Sequence, residues 1–128
     1  MTYRRLGRSG IELSAVGLAE GAAAGISSEL VQYSMLALRP EEEILETARR
    51  AGLGVLVRGA VAGSDKEMAQ TAIRFALSHP AVTAVAAGAS SVAQVEANVT
   101  AANAPPLGEA DQSALRDAVR PLRNTSHR

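Results

Sequence analysis

No cysteine and no tryptophan occur in this chain, and its only aromatic residues are Tyr3, Tyr33 and Phe75. Without thiols there is no disulfide framework, no thiolate nucleophile and no zinc site built on sulfur. Two separated histidines, His79 and His127, do not make a metal site. Neither sign of charge dominates, because 13 basic residues face 13 acidic ones. No basic face is therefore available to displace counterions from a nucleic acid. No apolar run approaches the ~20 residues that span a bilayer. The opening residues Met1 to Arg5 are followed by no apolar core of a signal peptide. The expectation is a soluble cytoplasmic protein with neither membrane nor nucleic acid as partner.

What is present is a globular composition, 47% hydrophobic, that leans on alanine rather than on large side chains. Each buried methylene contributes about 0.8 kcal/mol, so an alanine-rich core gains little per residue. A chain of 128 residues is long enough for one domain and not for two. Marginal stability as a monomer follows, together with surface that favours a partner.

Along the chain, Tyr3 to Leu13 reads as a hairpin, with Gly7 and Gly10 around a polar turn. "LSAVGL", Leu13 to Leu18, reads as a short buried strand, and "AEGAAAGISS", Ala19 to Ser28, as a small-residue linker without period. "ELVQYSML", Glu29 to Leu36, is a second strand. Pro40 then opens a helix with Glu41, Glu42 and Glu43 in its first turn and Arg49 and Arg50 in its last, as the helix dipole favours. Its apolar stripe is Ile44, Leu45, Ala48 and Ala51, and Gly52 caps it. "GVLVRG", Gly54 to Gly59, is a third strand. "SDKE", Ser64 to Glu67, is a capping box opening a helix to about His79, which Pro80 ends. "AVTAVAAG", Ala81 to Gly88, is a fourth strand. "SVAQ", Ser91 to Gln94, is a second capping box, whose helix carries Val92, Val95 and Val99 on one side. Glu109 to about Arg120 forms the last helix, with Leu115 and Val119 inward and Pro121 ending it. Apolar strands separated by helices indicate a parallel sheet.

Several of these stretches, in this order, resemble the aldo-keto reductase family. "YRRLGRSGIELSAVGL" is similar to that family's N-terminal hairpin and first barrel strand. "VQYSML" with "PEEEILETARRAGLGVLVRGAVAGS" is similar to its sixth strand, sixth helix and seventh strand. "AIRFALSHPAVTAVAAGASSVAQVEANV" is similar to its seventh helix, eighth strand and cofactor-binding eighth helix, and "PPLGEADQSALRDA" to its final helix. The fold so implied is α/β: a partial (β/α)8 TIM-type barrel of about four mostly parallel strands and about four helices, with an N-terminal hairpin. Residues 1–128 then form one truncated domain with an internal deletion around residues 19–28. The segment bearing the family's catalytic Asp, Tyr, Lys and His has no counterpart. In a closed barrel the eighth strand neighbours the first. The expected arc therefore runs six, seven, eight, one, with two open edges that favour self-association, most simply a dimer, or a complementing chain.

The resemblance also implies a cofactor site for NADP(H). Gly88 would let a ligand approach the backbone, Ser90 and Ser91 would meet phosphate, and Gln94 and Asn98 the adenosine, with Arg58 toward the nicotinamide side. The first turn of a helix independently favours an anion. Arg or Lys, common near this stretch in the family, is absent from "GASSVAQ". The alternative is that Ser91 and Gln94 only cap a helix and that Arg58 is an ordinary surface arginine. "GLGVLV" lacks the third glycine of a dinucleotide fingerprint, and no Gly-Lys-Ser/Thr follows "RGAVAGS". Tyr33 reads as a packing residue, Lys66 as a solvated one and His79 as a helix-end cap; no catalytic or metal-binding residue is assigned. Three functions stay open: a noncatalytic, self-associating member with a weak nucleotide site, an NADP-dependent carbonyl oxidoreductase completed by another chain, and a protein-interaction module.

Overall fold

The computed structural model describes residues 2–5, 8–14, 18–19, 27–61 and 65–123. An N-terminal hairpin pairs β1 (Tyr3–Arg5) antiparallel with β2 (Glu12–Ser14). Gly10, with φ 75°, takes a left-handed conformation in the turn between them. The main sheet contains β3 (Leu18–Ala19), β4 (Ser28–Gln32), β5 (Gly54–Arg58) and β6 (Val82–Ala86). All its pairings are parallel, in the order β3-β4-β5-β6.

That order corrects one expectation. Leu18 pairs with Glu29 and Ala19 with Leu30, so the strand resembling the family's first lies beside β4 rather than beside β6. The connection between β3 and β4 is short, and sequential strands joined by short connections tend to be neighbours. In this chain that tendency overrides the adjacency that closes a full barrel.

Alternation decides which face is covered. Val31, Tyr33, Val55 and Val57 are buried, whereas Leu30, Gln32, Leu56 and Arg58 between them are exposed. The covered face carries three helices: α1 (Ile44–Ala51), α2 (Lys66–Leu77) and α4 (Glu109–Arg123). They bury Leu45 and Ala48, Ala72, Phe75 and Ala76, and Val119 against it. A short 3-10 turn at Arg39–Glu41, holding Pro40, precedes α1. Gly52, at φ 70°, ends α1 in the left-handed conformation that glycine adopts without strain.

The β5–β6 pairing contains a bulge: Val55 pairs with Val82 and Leu56 with Ala84, so Thr83 is the extra residue. Its Oγ1 accepts the Val55 N–H at 3.1 Å. α3 (Val92–Asn103) packs on α2 and buries Ala101, but Val92, Val95 and Val99 remain exposed.

Three helix boundaries differ from expectation. α1 begins at Ile44 rather than Pro40, so Glu41 falls in the preceding 3-10 turn, Glu43 is the N-cap, and Glu46 is the acidic residue of the first turn. Asp65, not Ser64, is the observed N-cap of α2, accepting the Met68 N–H at 2.8 Å; Ser64 lies outside the described residues. α4 continues through Pro121 to Arg123. In a last turn the proline removes one bond, to the Asp117 carbonyl, where solvent can replace it. No helix among the described residues is long and apolar enough to cross a membrane.

Candidate functional site

β5 leads into α2 and β6 into α3, so both helices begin at the C-terminal end of the parallel sheet. Ligands of parallel α/β sheets bind at that end. A cleft of about 390 Å³ lies there, between the first turns of α2 and α3. Gly88, Ser91, Gln94 and Asn98 line it together with Asp65 and Gln70. Ala69, Ala93 and Ala97 keep its walls small and apolar.

Ser91 caps α3, its Oγ accepting the Gln94 N–H at 3.2 Å. Gln94 reaches back, as a capping-box partner does, but one residue further than the cap. Its Oε1 accepts both the Ser90 N–H, at 2.6 Å, and the Ser90 hydroxyl, at 3.0 Å. The first-turn N–H groups of Val92 and Ala93 have no partner within the helix by construction. A β-carbon built on Gly88 would meet nothing within 4 Å. Packing within the chain therefore does not require glycine there, and the space beside its backbone is open.

The structure brings four of the six sequence-proposed residues to one cleft and places Ser90 at its rim through Gln94. Arg58 is elsewhere. It ends β5 on the exposed face, in register with Gln32 and Ala86. Asp65 and Gln70 were missed by sequence reasoning. Reading Ser64 as the cap drew attention from the aspartate beside it, although Asp is an equally good cap residue.

Electrostatically the cleft is mixed. Two helix N-termini favour negative charge, but the Asp65 carboxylate opposes it, and no arginine lines the cleft among the described residues. The residues fit the uncharged adenosine portion of a dinucleotide well, through the amides of Gln94, Asn98 and Gln70 and the apolar alanines. They fit a doubly charged phosphate less well.

A second polar cluster lies on the covered side of the sheet. The Tyr33 hydroxyl donates to Glu41 Oε1, which also accepts Arg116 Nη2 at 2.8 Å. The Arg116 guanidinium lies 5.2 Å from the Phe75 ring centroid. Burial, and then the Glu41 hydrogen bond, push the Tyr33 phenol far above its ordinary range. The tyrosine is buried, packs 6.0 Å from the Phe75 ring centroid and joins Glu41 and Arg116 in one polar network. No group of three or more metal-ligating side chains occurs among the described residues.

Residues 63–120 match the sequence model of the aldo/keto reductase family. The fold matches part of an aldo-keto reductase. Aldo-keto reductase AKR11C1 from Bacillus halodurans, in its holo form, is 30% identical in sequence with a TM-score of 0.62. That alignment covers 73% of this chain and 42% of the other. The apo form of the same enzyme gives 30% identity and a TM-score of 0.61, covering 72% and 43%. No curated protein matches the chain. The aldo-keto-reductase-like chain thus spans less than half the length of these relatives and matches part of their fold.

Proposed function

We propose that this aldo-keto-reductase-like chain holds the adenosine-phosphate end of NADP(H) weakly and does not reduce carbonyl compounds by itself. The observation that carries the reading is the convergence of Gly88, Ser91, Gln94 and Asn98 on one cleft at the C-terminal ends of β5 and β6. When bound, the cofactor supplies a hydride; this chain's residues would hold its tail. Gln94 and Asn98 would meet the adenine and ribose, and the α3 first turn the phosphate. The proton-handling residues of the family have no counterpart among the stretches that resemble it. The setting would be cytoplasmic.

Magnitudes argue for weak binding. A helix terminus contributes about 0.3–1 kcal/mol toward an anion, up to ~2 when partly buried. Micromolar affinity requires about 8 kcal/mol, and millimolar about 4. Tail contacts alone place the dissociation constant nearer the second value.

Titration of the purified chain with NADPH, followed by fluorescence and calorimetry, tests the reading. Saturable weak binding without carbonyl-dependent NADPH consumption is the expected result. Carbonyl-dependent consumption by the purified chain would overturn it. A second reading, a reductase completed by another chain, draws support from the 42% coverage of the holo relative. It predicts turnover only when that chain is added.

A further inference from the structure

We propose that two copies of this chain close into one eight-stranded parallel barrel, the β6 edge of each copy pairing with the β3 edge of the other. This is independent of nucleotide binding and rests on the sheet itself.

Among the described residues, the order β3-β4-β5-β6 leaves β3 and β6 each with one edge unpaired within the sheet. All the pairings are parallel, so both free edges run in the same direction. A two-fold axis along the centre of the barrel sets β3 of the second copy beside β6 of the first and repeats the same seam opposite. Four strands from each copy make eight, the number at which side chains just fill the interior. Closure then leaves no edge exposed, and the symmetric assembly stops at two copies. It also restores, between chains, the contact of last strand with first that a closed (β/α) barrel requires and that this chain does not make internally.

The exposed face has the composition of such an interior. Leu30 and Leu56, neighbours across β4 and β5, are 37% and 40% exposed, and Ala84 continues their row on β6. Gln32, Arg58 and Ala86 form the next row, at the C-terminal rim, where polar groups stay wet. On the helix side of β6, a groove of about 520 Å³ lined by Ile73, Leu77, Val85, Val95 and Val99 gives the neighbouring copy a further apolar surface beside the free edge. A second copy is the occupant that presents a strand edge of the right direction, the right strand number and its own uncovered leucines.

The test is light scattering after size exclusion on the full chain over a wide concentration range, with hydrogen exchange on the same samples. Wild type is expected to be a dimer in which the β6 amides of Thr83–Ala86 that do not bond β5 lose protection on dilution, while the amides of Val55–Val57 in the sheet centre keep theirs. Leu56→Asp, at an exposed position, is expected to give a monomer with unchanged helical circular dichroism. A wild type that is monomeric at every concentration, or that grows into open-ended polymers, overturns the proposal. So does a dimer whose β6 protection ignores dilution. Should Leu56→Asp fail to fold, the exchange measurement on wild type decides alone.

Discussion

Glu41 Oε1 serves Tyr33 and Arg116 at once, accepting the buried phenol from β4's end and the guanidinium from α4 at 2.8 Å. The contact ties the helix farthest along the chain to the turn before α1, across a separation of 75 residues. Tyr33→Phe removes the donor and leaves the Glu41–Arg116 pair. It is expected to lower stability by about 1.5–3 kcal/mol, the range for a hydrogen bond to a charged partner. Chemical denaturation measures this, and nucleotide binding should be unchanged.

His79 supplies a pH dependence. Its Nδ1 accepts the Ala81 N–H at 3.1 Å, so this nitrogen is unprotonated in the fold. Burial lowers its pKa below the ordinary 6.5; Glu41 raises it by less, and Arg116 lowers it again. The unfolded chain therefore binds the proton more readily. Stability is fully present above pH 6.5 and is lost as pH falls through the depressed folded value. Thermal melts from neutral to acidic pH should show this loss, and His79→Asn should flatten it.

At the cleft, Asp65 and Ser91 separate capping from recognition. Asn caps as well as Asp, so Asp65→Asn is expected to keep stability within a few tenths of a kcal/mol. It removes the carboxylate that would face the phosphate of a bound nucleotide. At separations of several ångströms in partly wet surroundings, that is worth about two- to fivefold in affinity. Titration with NADPH at low salt checks the gain, and equal affinity of both proteins would remove Asp65 from the site.

Ser91→Ala deletes the α3 cap. It is expected to cost about 1 kcal/mol and to loosen the first turn that holds Gln94 in place. Denaturation reads the first effect, and faster exchange of the Gln94 and Val95 amides reads the second.

Much of this was legible locally. Gly52 after an arginine-rich helix end, Ser91 three residues before Gln94, and the apolar stretch at Gly54–Arg58 each carry their structural signal in a few neighbouring residues. The place of β3 was not legible, because edge pairing depends on which strands the connections bring together. Pro121 looked like a terminator, yet a helix can absorb one missing bond in its final turn. The cleft was half legible: Ser91, Gln94 and Asn98 follow one another along α3, whereas Asp65 and Gln70 reach it from a different helix.

Thr83 resets the phase of its strand. Strict alternation would send Val82 and Val85 to opposite sides of the sheet, yet both pack against the same helix-covered layer because one residue is skipped between them. Only alanines then look outward from the end of β6. That face accordingly carries its smallest side chains along this strand, and deleting one threonine would turn Val85 out onto it and strip a valine from the layer beneath.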